Sequence, residues 1–141
     1  MANKEVITKW VEALESGEFK QTHGRLKGVD RAHGTDAFGH CCLGVLCELA
    51  AAEGVIAPSE TYEIDSIVTG EPLKYWAFGT HEARLPNEVV DWAGIPSSDP
   101  FLTSRESSAR REASVWNDSH QKSFNDIADM VRHTFLEDDD A

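Results

Sequence analysis

The chain has 141 residues, 40% of them hydrophobic, which is enough for one domain with its own core. No apolar stretch is long enough to cross a bilayer, and the charged start, "MANKEVITKW", is unlike a signal peptide, so we expect a cytoplasmic protein that does not contact membranes. The net charge of -12 disfavours direct DNA binding, because such a surface repels nucleic acid at long range.

The first part of the chain predicts a helix followed by short strands. Asn3 can cap a helix over residues 4–16, whose apolar side chains recur every three or four residues, and Gly17 can end it. Residues 18–28 alternate weakly between apolar and polar, which predicts two short strands joined by a turn. A further strand is expected around Phe38, after a loop.

The segment "HCCLGVLCEL" leads into a helix that is expected over about residues 41–53 and ends at Gly54. Nearly every residue in it is apolar, which predicts a helix in the middle of the core. Gly44 lowers helix stability by about 1 kcal/mol relative to alanine. That cost is more easily tolerated where another backbone packs closely against the glycine.

The second half predicts more strands and two further helices. "TYEIDSIVTG" and "KYWAFGT" are expected as strands of one antiparallel sheet. "RLPNEVVDWAGI" predicts a short helix entered at Pro86 and closed at Gly94. Residues 96–111 predict a loop, "ASVW" predicts a strand, and Ser123 with Asp126 resembles a capping box before a terminal helix.

These elements predict an α+β fold, a single compact domain over residues 1–136 in which a small antiparallel sheet packs against about four helices. The acidic tail at residues 137–141 is expected to be disordered. Trp10 and Trp92 fall on apolar helical faces and are expected in the core. Trp76 and Trp116 lie near turns and are candidates for a pocket. Strand order and self-association into a homo-oligomer stay open.

Three cysteines and a histidine lie within residues 40–47, which raises metal and nucleophile chemistry as alternatives to packing. Zinc needs four converging ligands, whereas Cys41 and Cys42 are neighbours and Cys47 is off the spacing that shares a helix face. Cys41 or Cys42 in a first helical turn is a candidate nucleophile of a Cys/His-dependent hydrolase. The simpler interpretation is that the cysteines are small buried hydrophobes, so we assign no catalytic residue, metal or cofactor.

Positive charge is concentrated between residues 20 and 31 of a chain that is acidic elsewhere. Cations for phosphate, the aromatic face of Phe19 for a base and an amide for its edge are the parts of a site for a small phosphorylated ligand. The alternative is that these side chains are solvated or paired with local carboxylates. The predicted ligand-binding residues are Lys20, Gln21, His23, Arg25, Lys27 and Arg31.

Two later segments are further candidates for the same site. Arg105, Arg110 and Arg111 can add positive charge from the predicted loop. Asn117, Asp118 and His120 form a polar corner before the terminal helix, and this corner either makes an Asx turn that caps that helix or contacts a ligand.

A family resemblance rests on three stretches together, namely "WVEALESGEFKQTHGRLK", "HCCLGVLCELA" and "WNDSHQKSFNDIADMV", with "LPNEVVDWAGI" between the last two. They resemble a family of small uncharacterised proteins encoded by tailed bacteriophages and their prophages, in which a Cys-Cys-Leu-Gly-Val helix is a fairly specific motif. The resemblance implies an accessory factor that acts on a host component in the host cytoplasm. It transfers no catalytic residue.

Three hypotheses of function follow from these observations. The first is a non-enzymatic protein that binds a small phosphorylated, nucleotide-like ligand and sequesters a host immune signal. The second is an acidic inhibitor that mimics nucleic acid toward a basic site of a host defence protein. The third is the thiol hydrolase, which requires a reactive Cys41 or Cys42.

Overall fold

The computed structural model describes residues 2–23, 25–29, 38–65, 72–79, 81, 83–120 and 122–137. In these ranges the chain forms five α-helices and six β-strands, and the last helix continues into a π-helical turn. The helices are α1 (Lys4–Glu15), α2 (Cys42–Ala52), α3 (Asn87–Ala93), α4 (Ala113–Asp118) and α5 (Phe124–Val131), followed by the π-helical turn Arg132–Leu136. The strands are β1 (Lys27–Val29), β2 (Phe38–His40), β3 (Glu60–Asp65), β4 (Pro72–Ala77), β5 (Phe101–Thr103) and β6 (Arg110–Glu112).

The strands form two antiparallel sheets. The larger sheet has the order β2-β1-β4-β3, and β5 pairs with β6 in a separate hairpin. In the larger sheet Lys27 of β1 lies opposite His40 of β2 on one side and opposite Trp76 of β4 on the other. The expected α+β fold, a single domain with a small antiparallel sheet against helices, is therefore confirmed.

The helices form the core together with one end of the larger sheet. In α1 the Asn3 side chain accepts a hydrogen bond from the Val6 amide at 3.4 Å, as an N-cap does, and Trp10 lies on the buried face. In α2 every residue from Cys42 to Cys47 is buried, which confirms the predicted central helix. Trp10 also donates its Nε1 hydrogen to the Cys42 carbonyl at 2.9 Å, so α1 is fixed against the start of α2.

Gly44 allows α2 to pack directly on the backbone that precedes β1. A Cβ atom at this position would lie 1.7 Å from the carbonyl oxygen of Leu26, which is far inside van der Waals contact. The same carbonyl accepts a hydrogen bond from the Cys41 amide at 3.2 Å. The segment before β1 therefore supplies the close backbone neighbour beside which a helix tolerates a glycine.

Two predictions for the region after α3 are wrong. Residues 96–111 contain the β5–β6 hairpin, in which Thr103 pairs with Arg110 and Ser108 in the turn has a left-handed φ of 61°. The segment "ASVW" is not a strand but lies in α4. The β-branched Val115 has a lower helix propensity, but α4 is stabilised by a cap from an earlier part of the chain. The Asp99 carboxylate accepts a hydrogen bond from the Ser114 amide at 3.0 Å at the start of that helix.

Other expectations are met in part. Of the two strands expected over residues 18–28, the described residues form β1 and an isolated parallel bridge between Gln21 and His40. Trp92 packs on the core but is half-buried. Trp116 is buried in the core, and its Nε1 donates to the Leu102 carbonyl at 2.9 Å. Residues 138–141 of the acidic tail lie outside the described residues. No helix in the described part of the chain is long and apolar enough to span a membrane.

Candidate functional site

A row of side chains crosses the larger sheet on one face. His40, Lys27, Trp76 and Thr61 are successive register partners on β2, β1, β4 and β3. Directly opposite residues of an antiparallel sheet project to the same face with Cβ atoms about 5 Å apart. The sheet therefore brings an imidazole, an ammonium group and an indole into a single line.

Glu48 of α2 holds the buried end of this row. Its Oε2 lies 2.7 Å from Nε2 of His40 and 2.9 Å from Nζ of Lys27. The three side chains are 23%, 6% and 15% exposed, respectively, so the cluster is largely shielded from water. Burial by itself raises the pKa of Glu48, but the hydrogen bonds from His40 and Lys27 outweigh it and leave the pKa below its ordinary value. Glu48 is therefore ionised at neutral pH.

The other end of the row is open to solvent. Nζ of Lys27 donates to the Ser59 hydroxyl at 3.2 Å and lies 5.4 Å from the centroid of the Trp76 ring. Trp76 is half-buried and Thr61 is exposed. The arrangement presents part of an aromatic face beside an oriented cation, which can bind a planar group that carries a negative charge.

The predicted ligand-binding residues are only partly brought together. Lys27 lies in the row, and Lys20 is exposed while its backbone carbonyl accepts from the His40 amide at 2.8 Å. His23 and Arg25 are half-buried on the segment that leads into β1. Arg31 lies outside the described residues. Whether these side chains form one cationic site for a ligand therefore stays a prediction.

The Gln21 side chain forms hydrogen bonds with two residues near the end of α4. Its Nε2 donates to Asn117 Oδ1 at 2.9 Å and to the Lys122 carbonyl at 2.7 Å. The Gln21 side chain, which was predicted to contact a ligand, therefore connects residues 20–22 to the polar corner and to Lys122.

Asn117 is the centre of that corner, and the expectation that it caps the terminal helix is wrong. It lies in α4, is fully buried, and its Oδ1 accepts from the Cys42 amide at 3.2 Å, so it caps α2. Its Nδ2 donates to the Thr22 carbonyl at 2.9 Å. Capping of α5 is performed by Ser123, whose hydroxyl accepts from the Asp126 amide at 3.1 Å. Asn117 therefore joins the three stretches on which the family resemblance rests.

The cysteines have the environment of packing residues. All three are buried, and burial raises the pKa of Cys41 to about 12 and that of Cys42 and Cys47 well above the ordinary value. A thiol in this state is a poor nucleophile at neutral pH. Among the described residues no group of three His, Cys, Asp or Glu side chains is arranged to hold a metal ion.

Three residues of the candidate site, His40, Glu48 and Ser59, were not predicted as site residues from the sequence. A signal was present for Glu48, because it is a charged residue inside a helix that is otherwise apolar on almost all sides, and a buried charge requires a partner. Nothing in the local pattern identifies that partner, since the pairing depends on the register of β1 and β2.

Comparison with known proteins gives one match. No curated protein and no solved structure is similar enough to the chain to be matched. One family model, described as a domain of unknown function (DUF8296), matches residues 2–135. The match covers nearly the whole chain, and the protein belongs to the DUF8296 family.

Proposed function

We propose that the protein is a non-enzymatic binding protein for a small phosphorylated, nucleotide-like ligand, which it holds at the open end of the His40–Lys27–Trp76 row. The observation that carries this proposal is the ammonium group of Lys27 held 5.4 Å from the centroid of the half-exposed Trp76 ring. An aromatic face can stack on a base, an interaction of about 1–3 kcal/mol, while a cation beside it attracts phosphate.

Charge around the row limits the ligand. Glu48 offsets the charge of Lys27, so the two together attract phosphate weakly. Additional attraction has to come from the exposed Lys20 and from His23 and Arg25 on the same segment, with Arg31 as a predicted contributor. A ligand with one or two phosphates and a planar base fits this balance better than a long polyanion does.

Binding without turnover is favoured by the state of the thiols. The candidate nucleophiles Cys41 and Cys42 are buried, and burial raises the pKa of both thiols. The resemblance to phage proteins motivates the further proposal that the ligand is a nucleotide signal made by a host immune enzyme. Sequestration by a preformed site is then sufficient for function.

Isothermal calorimetry with cyclic nucleotides and ADP-ribose derivatives tests this proposal. Lys27→Met and Trp76→Leu should each weaken binding about tenfold or more, since each removes one contact while keeping apolar bulk. Lys9→Met is the matched control, because Lys9 also pairs with a glutamate, Glu53 just after α2, at 2.8 Å but on a different surface. Absence of binding across the panel, or equal loss in the control, contradicts the proposal.

A second candidate function is an acidic inhibitor that mimics nucleic acid. Carboxylates neutralise the cations on the surface of α1, α5 and the turn after α5. Glu15 pairs with Arg132 at 3.1 Å, and Asp129 pairs with Arg105 at 3.1 Å. The remaining acidic residues leave this surface net negative. A pull-down from host lysate tests this candidate. If the protein retains a basic host protein and releases it sharply at moderate salt, the candidate is supported, and if retention does not depend on salt, the candidate is contradicted.

A further inference from the structure

Strand β3 is an edge of the larger sheet, and the ladder fixes which way its backbone groups point. The Cys41 amide donates to the Leu26 carbonyl at 3.2 Å, and this pair continues the register of β1 and β2. Because hydrogen-bonded pairs alternate along an antiparallel ladder, the N–H and C=O groups of Lys27 point away from β2 and toward Trp76 of β4. Those of Trp76 then point toward β1, so Thr61, directly opposite Trp76, has both groups on the outer side of β3.

The outer side of β3 is the open edge of this sheet among the described residues. By alternation the outward groups belong to positions 61, 63 and 65, and no described residue bonds to those of Thr61. The opposite edge is covered. There the His40 amide donates to the Lys20 carbonyl and the Thr22 amide donates to the His40 carbonyl, both at 2.8 Å. A further strand can therefore be added at β3.

The two faces of β3 differ in chemistry. Positions 61, 63 and 65 belong to one face of the strand, and positions 60, 62 and 64 belong to the other. The first face carries the acidic residues Glu63 and Asp65. The second carries Tyr62 and Ile64, and Tyr62 is 39% exposed. A strand added at this edge would have acidic neighbours on one face and apolar neighbours on the other.

We propose that the edge of β3 binds an extended segment of a partner protein in which basic and apolar residues alternate. The segment adds antiparallel, as the strands of this sheet do, with its basic residues on the face of Glu63 and Asp65. A second copy of the chain is a less suitable occupant, because its own β3 would bring acidic residues beside acidic residues. Acidic residues at this edge thus oppose self-addition and favour a strand of opposite charge.

Fluorescence anisotropy with the full chain and a fluorescein-labelled peptide of alternating Lys and Val residues tests the proposal. In the antiparallel arrangement the lysines lie opposite positions 61, 63 and 65, and their own N–H groups point toward β3. N-methylation of the lysine backbone nitrogens should therefore weaken binding about tenfold or more. N-methylation of the valine nitrogens should leave binding within about twofold. The two methylated peptides have equal charge, so general attraction to the acidic chain cancels in the comparison.

Thr61→Pro is the matching change in the protein. It removes an N–H that points outward and keeps the bonds between β3 and β4, and proline is tolerated on edge strands. It should weaken binding of the unmodified peptide about tenfold or more, because the pyrrolidine ring also blocks the edge. Thr61→Val keeps the N–H and should leave binding within about twofold. Circular dichroism confirms that both variants are folded.

Four outcomes overturn the proposal. They are absence of binding to the Lys and Val peptide, equal loss for the two methylated peptides, undiminished binding by a folded Thr61→Pro variant, and a dimer in sedimentation that Thr61→Pro disrupts, which would make a second copy the occupant. Lys27→Met should leave peptide binding within about twofold. The edge of β3 can therefore fail while the nucleotide site stands, and the reverse also holds.

Discussion

Two regions of the molecule join distant parts of the chain by opposite means. At the start of α2, the glycine at position 44 packs on the Leu26 carbonyl and the buried Asn117 amide links residues 21, 22 and 42. At the end of α5, Arg105 is joined to Asp129 and Glu137, all about 40% exposed or more. The first region depends on shape and buried hydrogen bonds, which few substitutions can reproduce. The second depends on exposed charges, which water can replace.

Substitution of Gly44 by alanine should have the largest effect on stability. The new Cβ would overlap the Leu26 carbonyl, so α2 has to move away from the segment before β1. We expect a loss of about 3 kcal/mol in the free energy of unfolding, despite the better helix propensity of alanine. Urea unfolding followed by circular dichroism measures it.

Gly17→Ala is the control for this prediction. Gly17 has a φ of 79°, and a methyl group added there would have no atom within 4 Å, so alanine is strained in conformation but meets no neighbour. We expect a loss of about 1 kcal/mol. If Gly44→Ala costs no more than Gly17→Ala, close packing on Leu26 is not what position 44 requires.

Replacement of Asn117 by alanine should have the next largest effect. It removes the acceptor for the Cys42 amide and the donor to the Thr22 carbonyl, and both groups are buried. We expect a loss of about 2 kcal/mol, measured by urea unfolding. The exposed Asn125 of α5 is the matched control, and Asn125→Ala should change stability by less than about 0.5 kcal/mol.

The features that could be predicted from the sequence are those with a local signal. The helices α1, α2 and α5 follow from apolar periodicity and from caps such as Asn3 and Ser123, which are local signals. The need for Gly44 was also visible, since a glycine in an apolar helix implies a close neighbour. The identity of that neighbour, Leu26, depends on tertiary packing and has no local signal.

The candidate site was less predictable than the fold. Lys27 was identified because positive charge is concentrated between residues 20 and 31 of an acidic chain. Glu48, His40 and Trp76 are brought to it by strand register and by α2, which have no local signal. The hairpin was missed because a segment rich in serine and arginine is typical of a loop. It forms because Leu102 is buried and Trp116 bonds its carbonyl.

The Glu48 cluster lies between the two regions in exposure, and Glu48→Gln should have an intermediate effect. The pKa of Glu48 is lowered in the folded protein, so its contribution is complete above the ordinary value of 4.5 and is lost as pH falls through the folded pKa. We expect Glu48→Gln to lower stability by about 1.5 kcal/mol at neutral pH. The variant should also show a weaker decline in stability below pH 4.5 than the wild type does.

Urea unfolding across this pH range tests the prediction, with Glu53→Gln as the control. Glu53 also carries an ion pair, to Lys9, but both side chains are more than 40% exposed, and little change is expected. An equal effect of the two substitutions would mean that burial of Glu48 beside His40 adds nothing to its interactions.

The smallest effect on stability is expected for Arg105→Ala. Hydrogen bonds from Arg105, and next from His133, lower the pKa of Glu137 to about 2. Without Arg105 that pKa should rise toward the ordinary value of 4.5, while His133, 3.0 Å from Glu137, keeps part of the shift. Carbon chemical shifts of the Glu137 carboxyl during an acid titration measure this change directly. The midpoint of urea unfolding should hardly move, because these charges are exposed and screened by salt. If Arg105→Ala destabilises the protein as much as Asn117→Ala does, exposed charges hold the chain end as firmly as the buried amide holds α2, and the distinction between the two regions is wrong.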